Sequence, residues 1–212
     1  VYAAIRATRA ALPEETTLIG FCGAPFTLAS YMIEGGGSKN YVHTKAMMFG
    51  DPTAFHQLLE KLVDSLIVYL NAQAAAGAQC LQIFDSWAGC LSPTDYQNHL
   101  LPHMQRLLAN IDPRVPVINF ATGNPLLLPL LRGDARTTVG IDWKVELDRA
   151  WDMVGSDRSV QGNLDPTILF TDRETIRHSA KQILDSVAGR PGHIFNLGHG
   201  ILPHTPVDNV RA

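Results

Sequence analysis

Nothing in the charge or hydropathy of this chain singles out an extended polyanion or a bilayer as its partner. Its 212 residues carry 17 Lys+Arg against 20 Asp+Glu, a formal net charge of -3, with no long run of like charge. The basic footprint of a nucleic-acid binder is therefore missing. Long apolar runs are missing too: the richest, Asn124-Pro-Leu-Leu-Leu-Pro-Leu-Leu131, falls far short of the roughly 20 residues a spanning helix needs, and prolines interrupt it. Cysteine is scarce. Cys22, Cys80 and Cys90 are odd in number and lack Cys-x-x-Cys spacing, which excludes a disulfide framework and a structural zinc site and suits a reducing cytoplasm. No G-x-G-x-x-G follows a strand, since Glu34-Gly-Gly-Gly-Ser38 has the wrong spacing and lies beyond a Tyr-Met-Ile segment that reads as helix. H-E-x-x-H and G-x-S-x-G are absent as well. No signal-peptide pattern opens the chain; it starts at Val1 without an initiator Met and stops at Ala212 just after a helix-start signal, so it reads as a piece of something longer.

What is present is an ordinary globular composition, 46% hydrophobic, 17% charged and 8% aromatic, enough for one sizeable core. Six short β-type runs recur, bounded by Gly, Pro or polar residues: Thr17–Cys22, Cys80–Phe84, Val115–Phe120, Thr138–Asp142, Ser159–Gly162 and His193–Leu197. Helical spacing fills most gaps. It is clearest over Thr53–Ala76, where Phe55, Leu58, Leu59, Leu62, Leu66, Tyr69 and Leu70 form one stripe and Gly77 supplies a stop. Val1–Leu12 has the same spacing through Tyr2, Ile5 and Leu12. Capping residues directly before proline mark starts at Asp51-Pro52, Ser92-Pro93, Asp165-Pro166 and Thr205-Pro206, and Thr171-Asp-Arg-Glu174 has capping-box spacing. Strands that alternate with helices predict βα units and a parallel sheet, because parallel neighbours need a crossover. The class is α/β. An open doubly wound sheet and a closed (β/α)8 barrel share that unit; the missing dinucleotide fingerprint favours the barrel.

In such a barrel, reacting groups sit at the C-terminal strand ends. Those positions read Cys22-Gly-Ala-Pro25, Asp85-Ser86, Thr122-Gly123, Asp142-Trp143, Gly162-Asn163 and Gly198-His-Gly200. Turns and helix caps alone account for much of this set. His199, flanked by glycines, is the sharpest candidate, because the backbone there can approach a ligand that the imidazole can bind; a turn histidine without function is the alternative. Ser86 lacks a nucleophile elbow and reads as a hydrogen-bonding position. Cys22 has no obvious activating partner and reads as a buried small residue. His99 and His103 have metal-pair spacing, but Pro102 interrupts the turn and the pair reads as incidental.

Five stretches at these strand ends resemble the uroporphyrinogen decarboxylase family: Gly20-Phe-Cys-Gly-Ala-Pro-Phe-Thr-Leu28 running into Tyr31-Met-Ile-Glu-Gly-Gly-Gly-Ser38, then Gln82-Ile-Phe-Asp-Ser-Trp-Ala-Gly89, Val139-Gly-Ile-Asp-Trp143, Val160-Gln-Gly-Asn-Leu-Asp-Pro166, and Asn196-Leu-Gly-His-Gly200. They occur in family order across nearly the whole chain. The resemblance implies a (β/α)8 barrel, homodimeric, cytoplasmic, without metal or organic cofactor, that removes the carboxyl groups of four acetate side chains and turns uroporphyrinogen into coproporphyrinogen. It also implies that Tyr31, Ser86 and His199 line the tetrapyrrole pocket as hydrogen-bonding groups. Phe21 and Phe84 would then be apolar walls, ordinary core being the alternative.

Departures from the family pattern carry their own expectations. The family's Arg-Gln-Ala-Gly-Arg motif, which holds substrate carboxylates, and its Phe-Ser-Asp-Ile-Leu motif, whose aspartate stabilises the cationic intermediate, do not occur here. No catalytic residue is therefore assigned within these 212 residues. Only Arg6, Arg9, Lys39 and Lys45 stand near the early loops as cations. Residues 1–212 are expected to be a single barrel domain truncated at both ends, with about six of eight strands, and to be nearly inactive alone. Two rival readings remain: a corrinoid- or cobalamin-dependent methyltransferase of the same superfamily, which would need a thiolate-rich zinc site, and a non-catalytic tetrapyrrole-binding barrel.

Overall fold

The computed structural model describes residues 1–211. Each of the six β-type runs forms a strand, with ends within two residues of those predicted: β1 Ile19–Gly23, β2 Cys80–Asp85, β3 Val117–Ala121, β4 Thr137–Gly140, β5 Val160–Leu164 and β6 His193–Leu197. β3 starts later than its apolar run because Pro116 has no N–H for a ladder, although its carbonyl still accepts from Leu81 N–H at 3.0 Å.

All neighbours pair in parallel, in the order β1-β2-β3-β4-β5-β6. That order never reverses, so there is no switch point of the kind that defines a doubly wound sheet. Every crossover advances the sheet in one direction, and the sheet curls as an incomplete (β/α)8 barrel. Among the described residues β1 and β6 are not paired with each other.

Helices cover one face. α1 spans Tyr2–Ala11, α2 Pro25–Glu34, α3 Val42–Gly50 and α4 Pro52–Ala75. The α4 stripe packs as its spacing requires: Phe55, Leu59 and Leu70 are fully buried, and Asp51 caps the helix by accepting from Ala54 N–H at 3.0 Å. After β2 come a short turn, α5 (Pro93–Asp95), a π-helical segment over Tyr96–Leu100 and α6 (Leu101–Ala109). The π segment lets Pro102 fall in the first turn of α6, where a missing N–H costs nothing. α7 (Leu147–Val154), α8 (Arg173–Ser186) and α9 (Val207–Val210) complete the layer. The core lies between these helices and the outward-facing residues Leu81, Ile83, Val117, Val139 and Val160.

Three predicted helix starts differ in detail. Asp165-Pro166 opens a 3₁₀ turn, Pro166–Phe170, rather than an α-helix. Asp172, not Thr171, caps α8: its carboxylate accepts from Thr175 N–H at 2.9 Å, while the Thr171 hydroxyl donates to Ile168 O at 2.7 Å. Pro206 itself occupies the cap position of α9, and the hydroxyl of Thr205 makes no capping bond.

Candidate active site

Alternation along β2 decides which side chains meet. Leu81, Ile83 and Asp85 turn toward the helices, so Gln82, Phe84 and Ser86 share the concave face of the sheet. The same alternation brings Phe120 of β3 and Gln161 of β5 to that face. Together with Ile141, Asn196, Leu197 and the His199–Ile201 segment they enclose a hollow of about 440 Å³. Phe84 and Phe120 meet edge to face with centroids 6.0 Å apart, and Phe21 meets Phe84 likewise at 5.9 Å, so three aromatic rings run along the apolar wall.

His199 stands at the mouth of this hollow, exposed, its ring 6.4 Å from Phe120 and 6.0 Å from Trp143, edge-on to the latter. Gly198 makes that placement possible. A Cβ there would lie 2.5 Å from Trp143 N, and its own N–H donates to Leu164 O at 2.7 Å, so the end of β6 is pressed against the loop after β4. A similar contact closes the β2 side: a Cβ on Gly89 would lie 2.1 Å from Thr122 O, and the Thr122 hydroxyl donates to Ser86 O at 3.0 Å.

The sequence candidates are thus distributed unevenly. Phe84, Ser86 and His199 line one hollow. Phe21 sits at its edge, 61% exposed on an edge strand, and touches it only through Phe84. Tyr31 is on the exposed side of α2, outside the lining, with its ring edge-on to Trp87 at 5.9 Å; Trp87 directly follows Ser86. The remaining strand-end polar residues serve turns. Asp142 accepts from Gly123 N–H at 2.6 Å and Lys144 N–H at 3.0 Å, and the Asn163 amide donates to Asp142 O and Val145 O. Cys22 is buried on the helical face, and that burial pushes its thiol up to about 12, where no thiolate exists near neutrality.

His99 and His103 acquire a third member, His56 of α4. The His56 ring stacks on both, and its Nδ1 lies 2.7 Å from His103 Nε2. Burial and the neighbouring His56 hold His103 below the usual histidine range. Among the described residues no three His, Cys, Asp or Glu side chains converge as a metal would require.

Of the early cations, Arg9 is committed to backbone oxygens including Leu12 O at 2.9 Å, and Lys45 donates to Cys90 O at 2.6 Å. A cation missed from sequence stands near the site: Lys144 lies over the Trp143 ring, 5.3 Å from its centroid, and His199 meets the same ring edge-on. Phe120 and Gln161 were likewise missed, and Trp143, named at its strand end, was given no role. Their signal was the period-2 face they share with Phe84 and the adjacency of Trp143 to a strand end.

The sequence model of the family described as uroporphyrinogen decarboxylase matches residues 1–212. A protein named uroporphyrinogen decarboxylase from Carboxydothermus hydrogenoformans is 53% identical over 212 residues, covering 100% of this chain and 61% of the relative. One of the same name from Koribacter versatilis is 52% identical over 196 residues, covering 92% and 56%. The chain spans about 60% of the length of the curated relatives it matches. Among solved structures, a methyltransferase from Methanosarcina mazei superposes with a TM-score of 0.86 over 99% of this chain and 60% of its own, at 21% identity, a likeness of fold alone.

Proposed function

Since the chain belongs to the uroporphyrinogen decarboxylase family, we propose that the full-length protein converts uroporphyrinogen to coproporphyrinogen in haem biosynthesis, removing the four acetate carboxyl groups. The match of the family model over residues 1–212 carries this reading. The site geometry supports it: one concave face offers an aromatic wall from Phe84 and Phe120 for a macrocycle, and polar groups from Ser86 and His199 at the mouth for its carboxylates.

Each decarboxylation replaces one CO2 by one proton. A pyrrole ring carbon takes up a proton, the bond between the acetate methylene and its carboxylate breaks, and the electron pair neutralises the ring cation; a second proton reaches the methylene carbon as the ring proton leaves. What these residues contribute is binding and orientation. The imidazole of His199 and the Lys144 ammonium, both beside Trp143, are placed to hold acetate or propionate carboxylates, and the Ser86 hydroxyl is a second hydrogen-bonding point. Tyr31 extends the polar rim through Trp87. The cationic ring is stabilised by a group outside residues 1–212, in keeping with the absence here of the family's aspartate motif.

The same reading includes a homodimer in the cytoplasm, and a reaction that needs neither metal nor organic cofactor. A zinc-thiolate methyltransferase finds less support, because Cys22 is buried on the far side of the sheet from His199 and its thiol is held protonated. The deciding experiment is incubation of the full-length protein with uroporphyrinogen under anaerobic conditions, with chromatographic separation of products by carboxylate number. Stepwise appearance of products with seven to four carboxylates is expected. Unchanged substrate overturns the enzymatic reading and leaves a tetrapyrrole-binding barrel.

A further inference from the structure

Asp85 ends β2 and directly precedes Ser86, yet its side chain faces the helical side of the sheet and is wholly buried. Its Oδ1 accepts from the Thr27 hydroxyl at 2.8 Å. The oxygen of that hydroxyl in turn accepts from Trp87 N–H at 3.4 Å, and the Ala24 N–H at the start of α2 donates to Phe84 O at 2.8 Å. Thr27 and Tyr31 are four residues apart on α2 and so share a helix face. Besides the direct Tyr31–Trp87 ring contact, Asp85 and Thr27 therefore form a second, hydrogen-bonded link between the Ser86 and Tyr31 sides of the rim.

We propose that Asp85 and Thr27 are a positioning pair, which locks the end of β2 to α2 and so sets the spacing of Ser86, Trp87 and Tyr31 around the hollow. The pair touches no substrate; it acts through the residues it holds. Its consequence for catalysis rests on the function proposed above, but its consequence for the local structure does not.

The surroundings of Asp85 explain how the pair works. Besides Thr27, the π segment presents the hydroxyl of Tyr96, whose oxygen, like Asp85 Oδ2, is buried without a hydrogen-bond partner among the described residues. Cys90 faces the same space, with the Lys45 ammonium bound to its carbonyl and Asp95 more distant. A carboxylate with one hydroxyl donor in so dry a place is poorly compensated, and burial pushes the Asp85 carboxyl up to about 7. Near neutrality the neutral acid is thus well populated, and in that form Asp85 still accepts from Thr27.

The test uses the full-length protein with Thr27→Val, Thr27→Ser and Asp85→Asn, read by amide hydrogen exchange of the segment 84–90 and by steady-state kinetics. Thr27→Val removes the hydroxyl while keeping its shape; roughly fivefold faster exchange in that segment and a roughly fivefold lower kcat/KM are expected, as for the loss of one hydrogen bond. Thr27→Ser keeps the hydroxyl and Asp85→Asn keeps the acceptor, so both should exchange like the parent. Thr27→Val exchange equal to the parent, or equal acceleration in Thr27→Ser, overturns the proposal. If the parent has no decarboxylase activity the functional reading fails on its own, and the exchange data, which need no substrate, still decide the pairing.

Discussion

At the end of β2 two adjacent side chains part: Ser86 enters the hollow and Asp85 the dry space behind it. Their opposite surroundings make different predictions. Burial raises the folded-state pKa of Asp85 to about 7, above its unfolded value, so the folded chain binds the extra proton between those limits. The resulting stability is fully present below the unfolded value and is lost as pH rises through about 7, with a slope of at most about 1.4 kcal/mol per pH unit. Asp85→Asn should flatten that decline in a series of urea unfolding curves; an unchanged slope would assign it to another group. Ser86→Ala removes one hydrogen-bonding group and should weaken substrate binding by about 0.5–1.5 kcal/mol. His199→Asn takes away a polar contact at an exposed site and should lower turnover while the circular dichroism spectrum and melting temperature stay those of the parent. Normal kinetics in the full-length His199→Asn protein would remove that residue from the site.

Elements follow local chemistry wherever local chemistry is unopposed. α4 begins at Pro52 under the Asp51 cap and shows the periodic buried stripe that its sequence announces. Asp51→Ala should cost about 1 kcal/mol in thermal or urea unfolding. The start of α8 gives a sharper comparison: Asp172→Ala should cost about as much, whereas Thr171→Ala should cost less, because the Thr171 hydroxyl only closes the preceding turn. Spacing placed the cap at Thr171, since Thr and Asp are both good caps and one-residue offsets depend on how the preceding 3₁₀ turn delivers the chain. The His99 and His103 pair shows the opposite limit. Its rings stack on His56, a residue far away in the chain, and no helical spacing announces a partner on another helix.

At the scale of the molecule, the sheet is open. Ile19 and Phe21 on one edge strand, and Ile194 and Phe195 on the other, are each more than 40% exposed. One edge is partly blunted: the Gln73 amide accepts from Phe21 N–H at 3.1 Å and donates to Phe21 O at 2.9 Å, occupying backbone groups that a neighbouring strand would use. β6 has no comparable cover among the described residues. The 212-residue chain expressed alone should therefore self-associate, as seen by light scattering at increasing concentration. A monodisperse monomer of 23.2 kDa would show that the exposed edges are tolerated.

The α/β class, the six strands, the extents of α1 and α4 and the start of α5 were legible in the chain because they are written in short-range terms: short β-type runs, a 3.6-residue stripe, a cap before a proline. Strand ends also marked Ser86 and His199 as candidates. The unbroken strand order was anticipated only through the missing dinucleotide fingerprint and the family resemblance, since both open and closed α/β folds use the same βα unit. The side of the sheet each strand-end residue would take was not legible. Asp142 and Asn163 look as functional as Ser86 in sequence, and their commitment to turn backbone appears only when loops distant in the chain come together. Phe120 and Trp143 gather near His199, and Lys144 with Trp143, for the same reason: β3, the loop after β4 and the end of β6 become neighbours only through the curl of the sheet and the close approach at Gly198.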